Sequence, residues 1–235
     1  MEYIFTGIFL GMIYVVYAIV PTYLYKWAQF FLPAKKRKEK VLFLTFDDGP
    51  DPQYTGQLLD LLEQHQVVAT FFSVATFAKE HPMIVERMKQ EGHVLGLHSC
   101  THQDAWMMGP GYTERDFTKS MEICDSLGVD VHFYRPPWGR INICTLADIK
   151  SKQLKMVLWD VMAQDWKANT SAEMIASKLK KRASNGKIIC LHDGRGKDEA
   201  PARTIEALKK VIPEWKKEGY RFATVEELYE SKDAG

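Results

Sequence analysis

The segment "VLFLTFDDGPD", Val41–Asp51, joins an apolar run to a group of carboxylates. The run "VLFLTF", residues 41–46, has the composition of a buried β-strand. Asp47 and Asp48 follow it directly, and Gly49-Pro50 then predicts a turn. Two adjacent carboxylates repel each other, so a strand that ends on them needs a cation close by. We therefore expect a metal ion or a basic side chain at this point of the fold.

From residue 41 to residue 225, apolar runs alternate with amphipathic segments. The predicted strands cover residues 41–46, 67–74, 93–98, 131–135, 155–160, 187–193 and 220–225. The predicted helices cover residues 54–65, 81–92, 113–128, 143–152, 171–184 and 202–219. This alternation is typical of an α/β protein with a parallel sheet and helices outside it. A closed barrel and an open doubly wound sheet both satisfy the pattern.

The unusual polar residues of this region stand at the carboxyl ends of the predicted strands. They are Asp47, Asp48, His98, Arg135, Asp160, Asp165, His192 and Asp193. Parallel α/β folds place their active sites at this edge of the sheet. The pattern therefore predicts one site that contains most of these side chains.

The segment "HSCTH" holds His98 and His102 four residues apart. Two histidines and one carboxylate form a common open metal site, with positions left for water and substrate. A divalent ion at this site takes one carboxylate of the adjacent pair as a ligand. The other carboxylate stays free as a base, held by Arg135 through a paired hydrogen bond.

His192 adds a group that can donate a proton near neutral pH. Asp165 can orient this imidazole and raise its pKa. A metal, a base and an acid are the catalytic groups that metal-assisted hydrolysis of an amide or an ester requires.

The motifs "TFDDGP", "HSCTH", "RPPWG", "DW" and "LHD" occur in this order. The ordered set resembles the polysaccharide deacetylase family, which has the NodB-homology domain and is also called carbohydrate esterase family 4. The resemblance covers nearly all of residues 41–225. It implies a distorted (β/α)7 barrel and hydrolytic removal of acetyl groups, usually from N-acetylglucosamine units. It also implies a divalent metal, most often zinc, with cobalt, nickel or manganese as alternatives.

The same resemblance assigns roles to individual residues. Asp47 is implied to be the catalytic base and His192 the general acid. The implied metal ligands are Asp48, His98 and His102. Arg135 is implied to hold the base, and Asp165 is implied to tune the acid.

Four residues are expected at the substrate. The flat rings of Trp138 and Trp166 stand beside motif residues and suit stacking on sugars. By resemblance, Leu191 helps to line a pocket for the acetyl methyl group. Pro137, in the motif "RPPWG", is expected in the same groove.

Three further residues stand near the motifs. The family's fourth motif often carries a second acid before "DW". Asp160 stands in this region, and whether it replaces that acid stays open. Trp159 lies in a predicted strand and is expected in the core. Cys100, between the two histidines, is expected to be a packed turn residue and not a metal ligand.

The N-terminal segment from Tyr3 to Tyr25 contains no charged residue. Its length is enough to span a bilayer. No basic start and no small-residue cleavage site accompany it, so we expect a retained membrane anchor and not a signal peptide or a buried core helix. The predicted organisation is an anchor at residues 1–32, a basic linker at 33–40 and a catalytic domain at 41–235. The basic linker favours a cytoplasmic domain, whereas the family resemblance favours the outside, so the side of the membrane stays open.

Composition excludes several classes of partner and site. Lys and Arg number 31 against 30 acids, so the net charge of +1 gives no indication of nucleic-acid binding. The 4 cysteines are scattered and lack the spacing of a disulfide framework or a four-cysteine zinc site. Nothing in the pattern decides the oligomeric state.

The sequence therefore predicts a membrane-anchored carbohydrate N-deacetylase acting on a cell-wall glycan or a similar polymer. Two alternatives stay open. One is a deacylase of a lipid-linked sugar at the cytoplasmic membrane face. The other is a non-catalytic sugar-binding module with the same fold.

Overall fold

The structure is a computed structural model that describes residues 1–31 and 39–230. Its N-terminal segment is helical over nearly all of the predicted anchor. Helix α1 covers Glu2–Tyr14, a π-helical turn covers Val15–Ile19, and α2 covers Val20–Phe30. Most of the predicted basic linker at residues 33–40 lies outside the described residues.

Within the described ranges, eight parallel strands form one sheet. They are β1 (Val41–Asp47), β2 (Thr70–Ser73), β3 (Val94–Leu97), β4 (Phe133–Tyr134), β5 (Lys155–Met156), β6 (Val161–Met162), β7 (Ile188–His192) and β8 (Arg221–Phe222). The order is β5-β4-β3-β2-β1-β7-β6, with β8 paired to β1. No pairing joins β5 to β6 among residues 39–230, so the barrel is open. The predicted α/β fold of the (β/α)7 type is confirmed, as a curled half-barrel.

Helices connect the strands as the alternation predicts. They are α3 (Thr55–Gln64), α4 (Ala75–Glu80), α5 (Pro82–Gln90), α6 (Pro110–Ser126), α7 (Ile143–Ser151), α8 (Ala172–Arg182), α9 (Ala200–Lys217) and α10 (Glu227–Glu230). Helix α4 was not predicted, because its six residues are too few for a clear helical period.

The predicted strand at residues 155–160 is wrong in one respect. Only its first two residues form a strand, β5, and the chain then crosses to β6, which begins at Val161 on the opposite edge of the sheet. Asp160 therefore precedes β6 instead of ending a strand, and its backbone N–H donates to the carbonyl of Ile188 at 2.9 Å. Its carboxylate accepts from Lys187 Nζ at 3.0 Å, at the edge of the sheet away from the predicted site.

Strand β1 lies at the centre of the fold and is buried along its whole length. Leu42, Leu44 and Phe46 belong to the large core that the sheet forms with its helices. The alternate residues face the inside of the half-barrel, where Phe43 packs in a smaller cluster and Thr45 is fully buried. A strand buried on both faces reads as a continuous apolar run, which explains the composition of this segment.

Candidate active site

The carboxyl ends of the strands and the loops after them enclose a cleft of about 450 Å³. Its walls are formed by Asp47, Asp48, His98, His102, Trp138, Arg140, Trp159, Met162, Trp166, Cys190, His192, Arg195 and Gly196. The structure thus brings the predicted metal ligands, base and acid together at one edge of the sheet.

Asp48, His98 and His102 form a compact group of potential metal ligands. Their ligand atoms all lie within 4.8 Å of one another. Asp48 Oδ1 is 2.9 Å from His102 Nε2 and 3.3 Å from His98 Nε2. The Nδ1 atom of His98 is 2.6 Å from the backbone carbonyl of Arg135. Because a carbonyl only accepts, this contact assigns the proton to Nδ1 and leaves the Nε2 lone pair for a metal.

The group fits a divalent cation. Asp48 Oδ1 is buried, and its polar neighbours are the Nε2 atoms of His98 and His102, so an ion can bind between these three ligand atoms. Burial would raise the pKa of the Asp48 carboxyl, but the contacts with His102 and His98 outweigh it and hold that pKa well below its usual range. One carboxylate and two imidazoles suit zinc, cobalt or nickel, with further positions open for water or substrate.

The backbone is strained where these side chains enter the cleft. Asp48, His102 and Trp138 have positive φ angles of 76°, 57° and 54°. A non-glycine residue in this region costs about 1–2 kcal/mol, and such residues cluster at functional sites. Gly49 follows Asp48, and a Cβ atom at this position would collide with the carboxylate of Asp193. A side chain at position 49 would therefore require the buried carboxylate of Asp193 to move.

Asp47 is the last residue of β1, and its carboxylate contacts Arg135 and not the ligand group. The guanidinium of Arg135 is fully buried and donates from Nη1 to Asp47 Oδ1 at 2.7 Å. The same nitrogen also lies 2.7 Å from Thr45 Oγ1, while Nε donates to the carbonyl of Val157 at 3.1 Å. The predicted paired hydrogen bond is thus a single one, because Nη2 donates to the carbonyl of Leu158.

The second oxygen of Asp47 contacts a residue that was not predicted. The Cys190 thiol donates to Asp47 Oδ2 at 3.3 Å. Burial, followed by the charge of Asp47, raises the pKa of this thiol well above its ordinary value, so Cys190 stays protonated and keeps donating. Cys190 stands two residues before His192 on β7, and the period of a strand places both side chains on the same face. That period is the signal that could have found it.

His192 is held by Asp165 at two points. The His192 backbone N–H donates to Asp165 Oδ2 at 2.9 Å, and its Nδ1 lies 3.0 Å from Asp165 Oδ1. Thr204 also donates to Oδ2, at 2.9 Å. Burial lowers the pKa of His192, but the charge and hydrogen bond of Asp165 outweigh it and raise that pKa to about 9.

Three tryptophans line the cleft, and one of them was predicted elsewhere. Trp138 is half exposed and meets the His102 ring edge-on, with 4.4 Å between centroids. Trp166 meets His192 in the same way at 5.2 Å. The prediction that Trp159 is a core strand residue is wrong, since it follows β5, is only partly buried and lines the cleft.

Two predicted substrate residues lie elsewhere. Leu191 is fully buried in the large core, because β7 alternates and turns it away from the face that carries His192. Pro137 is buried at the start of a short 3₁₀ turn, Pro137–Gly139, and does not line the cleft. Asp160 does not replace the second acid of the fourth motif, because it contacts Lys187 and not His192.

Other residues of the cleft were missed. Arg140, Met162, Arg195 and Gly196 come from loops and from a two-residue strand, where no periodic pattern indicates direction. Cys100 is buried and does not belong to the ligand group, in agreement with its predicted packing role.

Comparison with known proteins agrees with this geometry. Residues 34–157 match the family model for polysaccharide deacetylases. The chain is 39% identical over 196 residues to a peptidoglycan-N-acetylglucosamine deacetylase of Bacillus cereus, covering 83% of this chain and 90% of the relative. It is 32% identical to a chitooligosaccharide deacetylase of Rhizobium leguminosarum bv. trifolii, covering 77% of this chain and 88% of the relative.

Solved structures give the same result. The crystal structure of the Bc1960 peptidoglycan N-acetylglucosamine deacetylase superposes with a TM-score of 0.77 at 32% identity, covering 83% of this chain and 90% of that one. A family 4 acetyl xylan esterase from Clostridium thermocellum, in complex with a cobalt ion, gives 0.74 at 33% identity, with 83% and 92% covered. The chain belongs to the polysaccharide deacetylase family, carbohydrate esterase family 4, and is a carbohydrate deacetylase.

Proposed function

We propose that the protein is a metal-dependent N-deacetylase that removes acetyl groups from N-acetylglucosamine units of peptidoglycan or a chitooligosaccharide-like glycan. One observation carries this proposal. A three-residue ligand group, the Asp47 carboxylate held by Arg135 and the His192 imidazole held by Asp165 line one cleft of about 450 Å³, with Arg135 and Asp165 buried behind it. The two relatives named above act on glycans of this kind, and both are covered over most of their length.

In this proposal Asp48, His98 and His102 hold a divalent metal ion, and zinc is the proposed metal. When bound, the ion supplies Lewis acidity towards the acetyl carbonyl and towards water. The solved relative that contains cobalt supports a divalent transition metal, and the nitrogen-rich ligand group favours zinc, cobalt or nickel over magnesium.

Asp47 and His192 transfer the protons of the reaction. Asp47 lines the cleft and accepts a proton from the attacking water at its carboxylate, which the hydrogen bonds from Arg135 and Cys190 hold in place. His192 is protonated at neutral pH because of Asp165, and it donates its proton to the departing amine. Trp138 and Trp166 form apolar walls against which a sugar ring can pack.

The N-terminal helix supports a membrane location. Tyr3–Gln29 is a helix of 27 residues that is long and apolar enough to cross a membrane. We propose that it is a retained anchor within residues 1–32, followed by a linker at 33–40 and the catalytic domain at 41–235.

The test is acetate release by the full chain in detergent. The substrates are a chitooligosaccharide, peptidoglycan, acetylated xylan and a lipid-linked aminosugar. A chelator should abolish release, and zinc should restore it. Asp47→Asn and His192→Ala should lose activity while keeping the circular dichroism spectrum, and Asp160→Asn serves as the matched control with activity retained. Full activity of both catalytic variants would overturn the mechanism, and sugar binding without turnover under any metal would favour a binding module.

A further inference from the structure

The second half of the N-terminal helix packs against the wall of the active-site cleft. The Thr22 hydroxyl is 2% exposed and takes part in three hydrogen bonds. It donates to the carbonyl of Ile141 at 2.9 Å, accepts from the N–H of Ile141 at 2.9 Å and accepts from Trp106 Nε1 at 3.0 Å. Tyr17 donates to the carbonyl of Met108 at 3.1 Å, and Tyr25 to that of Met156 at 3.3 Å. Contacts of this kind fix the helix relative to the domain.

The contact region is shared with the cleft itself. Arg140 lines the cleft, and its guanidinium also stacks on the Trp106 ring at 4.2 Å. Asn142 donates to the carbonyls of Ala105 and Met108 at 2.8 and 3.1 Å. The loop that carries Trp138 and Arg140 is therefore tied to the segment 105–108, and both are tied to the helix.

Between the helix and this segment lies an apolar groove of about 460 Å³. Leu10, Ile13 and Tyr14 line it from the helix, and Trp106, Met107 and Pro110 line it from the domain. Met107 is 81% exposed, which is unusual for a large apolar side chain, and nearby Tyr112 is 67% exposed. Because Leu10 and Ile13 line the groove and are also exposed, the groove is continuous with the exposed apolar first half of the helix.

The length of the helix decides what covers this surface. Every residue of Tyr3–Val16 is exposed, and at 1.5 Å per residue this free stretch is about 21 Å long. The hydrocarbon core of a bilayer is about 30 Å thick, so the free stretch alone is too short to cross it. A core of this thickness takes about 20 helical residues, which is Tyr3–Thr22, so a helix that spans it carries the level of the groove, Leu10–Tyr17, into the lipid.

We propose that the groove and the segment 105–112 are immersed in the bilayer and that the groove is filled by the hydrocarbon chains of membrane lipid. This inference rests on the proposed membrane location of the helix. The docked helix then holds the active-site cleft at the membrane surface, with Arg140 and Trp138 next to the lipid headgroups. The enzyme is thereby directed to N-acetylated glycan that is attached to the membrane or lies directly against it.

Photocrosslinking of the full chain in vesicles tests the groove. The vesicles contain phosphatidylcholine, phosphatidylglycerol and a phospholipid with a diazirine on its acyl chain, and adducts are located by mass spectrometry. We expect adducts on residues 3–16 and on residues 105–112. Met83 is 79% exposed on α5 and provides a matched apolar control that should stay unlabelled. Labelling of the helix without residues 105–112 would overturn the proposal.

Other outcomes are distinct. If neither segment is labelled, the membrane location itself fails, while acetate release from a soluble oligosaccharide still tests the deacetylase function separately. Labelling of 105–112 only by a polyprenyl diazirine, and not by the phospholipid, would assign the groove to the lipid of a substrate and overturn its assignment to bilayer lipid.

A charge in the groove tests the consequence for the substrate. Met107→Glu should lower acetate release from a lipid-anchored chitooligosaccharide in vesicles about tenfold, because a carboxylate is costly in hydrocarbon. Release from the soluble chitooligosaccharide should not change, and Met83→Glu should affect neither substrate. Equal activity of Met107→Glu and the unmodified protein on the anchored substrate would contradict the proposed pose.

Discussion

The pair formed by Asp47 and Arg135 should be strongly coupled in stability. Arg135 is fully buried, Asp47 is 3% exposed, and their atoms are 2.7 Å apart. Replacing one partner leaves a buried charge without compensation, as in Arg135→Met or Asp47→Asn. Replacing both removes the two charges together. We therefore expect the double variant to be more stable than the sum of the single losses predicts.

The magnitude follows from burial and distance. Removing one partner of a buried pair costs about 3–5 kcal/mol. Two unit charges at 4 Å interact by about 4 kcal/mol at an effective dielectric constant of about 20. We expect each single variant to lose about 4 kcal/mol and the coupling energy to be about 3 kcal/mol, whereas variants at sites without contact add to within about 0.5 kcal/mol.

The assay is urea unfolding of the full chain in detergent with a chelator present, followed by tryptophan fluorescence. The chelator is needed because a bound ion would partly compensate the charge of Asp47. Lys180 and Glu214 form an exposed pair at 2.6 Å, and the same cycle on them should give a coupling below about 1 kcal/mol. Additive losses at Asp47 and Arg135 would refute the reasoning, because they would mean that the two charges are compensated independently.

Further predictions concern protons, metal and substrate. In the metal-free protein, Asp165 raises the pKa of His192 from 6.5 to about 9, so the stability from this pair is complete below pH 6.5 and is lost as the pH rises towards 9; His192→Asn should flatten that decline in melting experiments. Zinc at 100 times its dissociation constant should stabilise the protein by about 2.7 kcal/mol, and Asp48→Asn should remove this gain in a thermal melt. Trp138→Ala should raise KM for a chitooligosaccharide about fivefold, equivalent to about 1 kcal/mol of lost ring packing, with kcat retained; a loss of kcat alone would contradict a binding role.

The sequence correctly placed at the site those residues that stand at the carboxyl ends of parallel strands. Asp47, His98 and His192 each end or directly follow a parallel strand, and such ends meet at one edge of a sheet whatever the details of the helices. The prediction for Asp160 was wrong because the apolar run before it crosses between two edge strands of two residues each. Strands this short leave no period from which a boundary could be predicted.

The errors at Leu191 and Trp159 have a different cause. A motif names neighbours along the chain, but neighbours in a strand point to opposite faces, so Leu191 beside His192 enters the helix-facing core. Trp159 was assigned to a strand that ends before it. The packing of Thr22 on Ile141 could not be predicted either, because a single hydroxyl in an apolar helix does not indicate its partner.

The two adjacent carboxylates are tolerated because the backbone separates their environments. Asp47 is the last residue of β1 and extends towards Arg135 inside the half-barrel. Asp48 then adopts a φ of 76°, which directs its carboxylate to His98 and His102 instead. Asp47 thus meets a buried guanidinium, whereas Asp48 is turned towards the two imidazoles with which it would hold a divalent ion, so the two carboxylates have separate environments. The local strain at Asp48 is the structural condition for this separation, so a substitution that relaxes the turn should disturb the metal ligands and the base together.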